Sequence, residues 1–293
     1  ASISHVHNTT QITELWSCKY PISLGLFYSS ITDFLGFAIN EGEYKVMGLS
    51  AFGNPKNKYK QLLSNLISWD KDSSALHLDM NYFSYHISTI NSYSQKLIEI
   101  LGEPRNPFQP LTLNDKLFQK YADIARATQD ITVEILSNIF EYAYKLTGCR
   151  DYLFSGGVAM NSASLSTIAA LPFIDNLVIP PSPGDSGAAI GAAFYGYLKS
   201  NYSNGKIVKP SLYPVSYSVV DQKVQVSKII KESFEIIDVN RSTALKSIAK
   251  LIKNSEIIGI LLENSETGPR ALGNRSLICN GKDHDAVNRL NTV

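Results

Sequence analysis

Four stretches of this sequence combine residue types that could do chemistry. In Leu153-Phe154-Ser155-Gly156-Gly157-Val158-Ala159-Met160-Asn161 a strand-like run feeds two glycines and then a helix-like run. Glycines let the backbone approach a ligand, and free N–H groups at a helix start favour anions. Asn161 could hydrogen-bond a ribose or phosphate oxygen. A plain strand–helix turn would also look like this. In Pro183-Gly184-Asp185-Ser186-Gly187, Asp185 stands at the mouth of a helix of very small residues. It suits a metal- or phosphate-facing carboxylate, and equally a helix N-cap. In Gly42-Glu43-Tyr44-Lys45-Val46-Met47-Gly48-Leu49, Glu43 and Lys45 could meet ribose and phosphate oxygens, or form a solvated charge pair. In Gly268-Pro269-Arg270-Ala271-Leu272-Gly273-Asn274-Arg275-Ser276, Arg270 and Arg275 could clamp an oxyanion, since guanidinium is a planar fork matched to phosphate and carboxylate. A surface turn with exposed arginines is the plainer alternative. His5 and His7 share a face of a strand-like run, and His77, His86 and His284 stand apart. No HxxxH or HExxH spacing for a metal occurs.

These residues need elements to hold them. Residues 1–18 alternate polar and apolar types, which predicts two short strands around Asn8-Thr9-Thr10. Leu24, Phe27, Ile31, Phe34 and Leu35 recur at helical spacing, so a helix is expected over 21–37, from Pro21 to a stop at Gly36. Tyr59, Leu62, Leu63 and Ile67 predict a helix over 58–68. Residues 76–110 show no clear period, and 105–110 reads as a proline loop. The longest helical pattern covers 112–147, through Leu117, Tyr121, Ile124, Thr128, Ile131, Ile135, Ile139 and Tyr142, and Gly148 closes it. A strand at 152–154, a helix from about Ala159, a strand at 177–179 and a helix over 186–198 follow. That alternation predicts an α/β layer architecture. Residues 201–216 have linker composition. Beyond them, helices at 219–230 and 243–253 and strands at 234–239 and 257–262 open a second α/β unit.

The length of 293 residues suits one to two domains, and 44% hydrophobic with 18% charged residues is an ordinary globular composition. With 27 basic against 26 acidic residues, the net charge of +1 carries no footprint for nucleic acid or an anionic membrane. Neither partner is expected. Cys18, Cys149 and Cys279 form no CxxC pair, which predicts a reduced, cytoplasmic setting. The start at Ala1 and the stop at Val293 suggest a piece cut at both ends.

In this order, the four stretches resemble the O-carbamoyltransferase family, whose members include nodulation-factor, cephamycin and tobramycin carbamoyltransferases. Tyr20-Pro-Ile-Ser-Leu-Gly-Leu-Phe-Tyr-Ser29 and Tyr121-Ala-Asp-Ile-Ala125 extend the similarity. It runs from about residue 19 to 198, weakens through the linker, and returns from 257. The resemblance implies an actin/sugar-kinase-like ATPase (ribonuclease H-like) domain over residues 1–205, a linker over 206–218, and the start of a YrdC-like α/β domain over 219–293. It implies ATP-dependent transfer of a carbamoyl group from carbamoyl phosphate, through carbamoyl-adenylate, to a hydroxyl of a small natural product.

By the same resemblance, Asp185 matches a metal-binding aspartate, the metal being Fe(2+), with Mg(2+) as the alternative beside ATP. Gly156, Gly157 and Asn161 match a nucleotide loop, and Glu43 and Lys45 a segment facing the nucleotide. Arg270 matches an arginine that binds carbamoyl phosphate, with Arg275 nearby. Asp185 and Arg270 are the expected catalytic residues. The family's two metal-binding histidines fall upstream of Ala1. A homodimer is compatible with these expectations. The alternatives are a tRNA threonylcarbamoyl-transfer protein, disfavoured by the near-neutral charge, and a non-catalytic nucleotide-binding protein of the actin/sugar-kinase class.

Overall fold

The computed structural model describes residues 1–7, 11–201, 240–261 and 273–290. The chain divides into two units, Ala1–Asp185 and Ser186–Val293. Both mix helices with small two-stranded sheets.

The first unit opens with the expected pair of strands, β1 (Ser2–Val6) and β2 (Ile12–Ser17), which run antiparallel. Helix α1 (Leu24–Phe34) begins later than the proline suggests. Ser23 is its cap, the hydroxyl accepting from Leu26 N at 3.3 Å, which satisfies one of the helix's otherwise unpaired first-turn donors. At its other end Gly36 takes φ +68°, and the Arg105 side chain donates to the carbonyls of Leu35 and Gly36. Helices α2 (Glu43–Leu49) and α3 (Lys58–Ser64) follow. The expected 58–68 helix stops at Ser64, because Ile67 enters strand β3 (Ile67–Asp70), which pairs with β4 (Ala75–Leu78). That hairpin and helix α4 (Gln95–Leu101) lie in stretches where the sequence predicts neither.

Helix α5 (Phe118–Thr147) is the spine of the unit, and α1, α2, α3 and a later helix all pack on it. Gly148 ends it at φ +67°. Phe27, Ile31, Phe34, Val46, Leu63, Phe83, Leu97 and Ile124 are fully buried around it. Each such side chain contributes roughly 1.5–3 kcal/mol by leaving water. Thr128 and Thr132 are buried too, and they donate to the Ile124 and Thr128 carbonyls one turn back. Gly53 lets the chain after α2 lie directly on this helix, since a Cβ there would collide with the Ala122 carbonyl and the Arg126 side chain.

Strand β5 (Asp151–Leu153), a 3-10 turn (Gly157–Met160), helix α6 (Ser162–Ala169) and strand β6 (Asn176–Val178) complete the unit. The strands are parallel, with Leu153 opposite Val178. This is the strand–helix–strand order that the periodicity predicts.

The second unit holds α7 (Gly187–Asn201), α8 (Arg241–Lys253), strands β7 (Ile258–Leu261) and β8 (Arg275–Ile278), and α9 (His284–Leu290). Asn240 caps α8 through its Oδ1, which accepts from Thr243 N at 2.9 Å. Strands β7 and β8 are antiparallel, with Leu261 opposite Arg275. The helix expected at 219–230 and the strand expected at 234–239 lie outside the described residues.

Candidate functional site

Two loops leave the carboxyl ends of β5 and β6, the edge of a parallel sheet where ligands bind in α/β folds. Their sequences explain how they meet. Gly156 takes φ +103°, a backbone angle that an L side chain resists, and this turns the chain sharply out of β5. Its N–H then donates to the Pro183 carbonyl at 2.6 Å, and the Ser155 hydroxyl donates to the same oxygen at 3.0 Å. One proline carbonyl therefore ties the glycine loop to the loop that carries Gly184 and Asp185. The first amide bond of the 3-10 turn is Ala159 N to Gly156 O at 2.9 Å, so the N–H groups of Gly157 and Val158 precede its ladder. Both glycines are exposed, and a Cβ at either would meet nothing within 4 Å. The backbone here is open to an incoming group.

Beneath the loop lies a network of neutral polar side chains. The Gln129 amide on α5 and the Asn161 amide exchange two hydrogen bonds, Gln129 Nε2 to Asn161 Oδ1 at 3.0 Å and Asn161 Nδ2 to Gln129 Oε1 at 2.9 Å. Gln129 Nε2 also donates to Ser164 Oγ at 2.9 Å, and Asn161 Oδ1 caps α6 by accepting from Ser164 N at 3.0 Å. The Tyr28 hydroxyl, from α1, donates to Gln129 Oε1 at 3.1 Å and accepts from the Asn161 side chain. Burial holds the Tyr28 phenol well above its ordinary pKa, and the Glu43 charge adds to this, while the Asn161 contact opposes it. The hydroxyl is thus a fixed neutral donor. Next to it on α1, the Ser29 hydroxyl donates to Glu43 Oε1 at 2.7 Å, and Asn40 N donates to the same oxygen at 3.0 Å. The N-terminus of α1 closes on the turn, since a Cβ on Gly25 would meet Val158 Cγ2 at 3.4 Å.

The fold thus gathers Glu43, Gly156, Gly157 and Asn161 into one neighbourhood and links it to the Asp185 loop. Asn161 spends its oxygen on Gln129 and the α6 cap, and its N–H groups go to Gln129 and Tyr28. In this arrangement it shapes the glycine loop from below. Lys45 is exposed on α2, with its Nζ 5.9 Å from the centres of the Phe37 and Tyr44 rings. Asp185 is exposed, and its side chain has no hydrogen-bond or ion-pair partner among the described residues. Helix α7 begins at Gly187, which leaves Asp185 one position ahead of the cap. Arg275 opens strand β8 where the sequence suggests a turn. Arg270 lies outside the described residues. Sequence reasoning did not single out Tyr28, Ser29, Ser155 or Gln129. Tyr28 and Ser29 lie in the resembling 20–29 string, whereas Gln129 carries no local signal at all.

Among the described residues no three His, Cys, Asp or Glu side chains converge as a metal-ligating set. His5 meets His7 at 4.3 Å between ring centres, and its Nε2 lies 3.5 Å from Cys149 Sγ. A single carboxylate does not hold a divalent ion on its own, so the described residues do not make up the expected metal centre. Among the same residues no helix is long and apolar enough to cross a membrane.

Comparison with known proteins places the chain in a family. Residues 2–194 match the family Carbamoyltransferase N-terminus, and residues 249–293 match Carbamoyltransferase C-terminus. The chain belongs to the carbamoyltransferase family. It is 31% identical over 274 residues to an uncharacterized protein, sll1178, of Synechocystis, covering 92% of this chain and 43% of that protein. It is 28% identical over 291 residues to the nodulation protein NolO of Bradyrhizobium diazoefficiens, covering 98% of this chain and 49% of NolO. With the nodulation protein NolNO of Sinorhizobium fredii it shares 25% identity over 292 residues, 98% of this chain and 39% of NolNO. The chain therefore spans half or less of the length of these relatives.

Proposed function

We propose that the full protein is an ATP-dependent O-carbamoyltransferase that uses carbamoyl phosphate, through carbamoyl-adenylate, to carbamoylate a hydroxyl of a small natural product. The observation that carries this reading is the ordered match to both the N-terminal and the C-terminal carbamoyltransferase families along one chain. On this reading the first unit is the transfer domain of actin/sugar-kinase-like fold, and the second opens the YrdC-like, adenylate-forming domain. The nodulation proteins among the relatives favour a small acceptor.

The chain's own residues have distinct tasks in this scheme. Gly156 and Gly157 bring backbone N–H groups against the nucleotide phosphates without side-chain hindrance. Tyr28, Gln129 and Asn161 hold that loop in shape, and Glu43 and Lys45 border it. Asp185 brings a negative charge to the same edge. Arg270 and Arg275 bind carbamoyl phosphate in the second domain. In transfer, the acceptor hydroxyl oxygen bonds to the carbamoyl carbon and gives up its proton, while the bond from that carbon to the adenylate phosphate oxygen breaks and AMP leaves with the electron pair. A divalent ion, Fe(2+) or Mg(2+), belongs to the proposal only with further ligands from the rest of the protein, and no step here passes through it.

The adenylating half is tested by pyrophosphate release from ATP by the full-length protein. Release that requires carbamoyl phosphate is the expected result. Release that is absent, or independent of carbamoyl phosphate, would remove the adenylate from the scheme.

A further inference from the structure

Strands β5 and β6 run parallel and, among the described residues, pair only with each other. Parallel strands belong to larger sheets that are covered on both faces. One face of this pair is covered, since the Tyr152 and Phe154 rings stand 5.2 and 5.4 Å from the Phe140 ring of α5. On the other face Leu153 and Val178 lie directly opposite each other, 73% and 54% exposed. The edge of β5 away from β6 is open as well. Phe154 N donates to the Val178 carbonyl at 2.9 Å. Successive N–H groups leave opposite edges of a strand, so the Leu153 N–H points off the free edge, where no described residue accepts it.

The β1–β2 hairpin is a second sheet of two strands, a size that is marginal by itself. Its Val6 and Ile12 are 57% and 67% exposed. The end of β1 borders the start of β5, because His5 Nε2 lies 3.5 Å from Cys149 Sγ, two residues ahead of β5. Yet the two strands share no sheet. Paired strands stand about 4.8 Å apart, and an imidazole and a thiol together span a wider gap than that. Two small sheets thus lie side by side, with unpaired strand edges that proteins ordinarily fill or cover.

We propose that a further strand, from the part of the full-length protein beyond these 293 residues, pairs with the free edge of β5 and joins both pairs into one sheet. The polypeptide for it exists in the relatives, of which this chain covers 43%, 49% and 39%. The strand would carry apolar side chains on the face it shares with Leu153. One of its ends would stand beside the Gly156–Gly157 loop that leaves β5, so residues from outside this chain would complete the edge of that loop. The inference rests on the sheet and not on the chemistry proposed above, so the two can fail separately.

Two measurements on the full-length protein test it. Hydrogen exchange resolved to single residues reads the Leu153 N–H, which should exchange at least about 1,000-fold more slowly than in an unstructured peptide. p-Benzoylphenylalanine placed at position 6 and irradiated should cross-link, within the same molecule, to a peptide outside residues 1–293. An unprotected Leu153 N–H would overturn the strand. So would a position-6 probe that links only to residues 1–293, links to a second copy, or links to nothing. A protected Leu153 and an outside cross-link in a protein that transfers no carbamoyl group would leave the strand standing and sink the transferase reading.

Discussion

At Gly156 a single backbone angle, φ +103°, sets the path of the candidate nucleotide loop. An alanine there meets no neighbour within 4 Å, so its cost is purely conformational. Gly156→Ala should lose about 1–2 kcal/mol in urea unfolding. An unchanged midpoint would show that the loop does not depend on this angle. Gln129 carries more. Gln129→Leu keeps the volume but leaves Asn161, Ser164 and Tyr28 short of partners, and a buried polar group without one costs about 1–3 kcal/mol. The loss should exceed that of Gly156→Ala, and a smaller loss would mean the network is not cooperative. Asp185 is the contrasting case. Exposed and unpartnered among the described residues, it should change stability by less than about 0.5 kcal/mol on conversion to alanine. Carbamoyl transfer by the full-length protein should fall sharply with the same change. Full activity in Asp185→Ala would reduce the residue to part of a loop.

The elements differ in how plainly the sequence announces them. Helix α5 has a long, regular period and forms as expected except that it starts at Phe118 and not at 112, and the two short strands of the β1–β2 hairpin form where alternation predicts them. The β3–β4 hairpin has four-residue strands, and Ile67 continues the helical spacing of Leu63, so the local pattern favours helix and only pairing with Leu78 selects strand. Helix α4 is seven residues long, too short for its period to stand out. The site was legible to the same depth. The glycines and Asp185 are visible as strings, but the structural task of Asn161 depends on Gln129, 32 residues away on the buried side of another element.

The β3–β4 turn also makes a prediction of its own. Asp70 accepts from the Ser73 hydroxyl at 2.6 Å and from the Asp72 and Ser73 N–H groups, which holds its carboxyl below the ordinary aspartate range. A depressed folded pKa means the turn's stabilisation is complete above the unfolded aspartate pKa. It is lost as the pH falls through the lower, folded value. The Asp72 and Ser73 amide resonances should therefore titrate with a midpoint below the usual aspartate value. A midpoint at or above it would contradict these bonds.

For the molecule as a whole, net charge and family say complementary things. A charge of +1 offers no general attraction to nucleic acid, and the chain belongs to a family named for carbamoyl transfer. The second unit contributes Arg275 at the head of β8, while its expected partner Arg270 falls outside the described residues. Because the chain spans half or less of the length of the relatives compared above, activity is a property to be sought in the full-length protein. The decisive measurement supplies that protein with ATP, carbonyl-labelled carbamoyl phosphate and a panel of hydroxylated acceptors, and follows the label by mass spectrometry. The account predicts labelled carbamoyl on an acceptor oxygen, formed only when ATP is present. Label that stays in carbamoyl phosphate or its hydrolysis products with every acceptor, or that transfers without ATP, would contradict it.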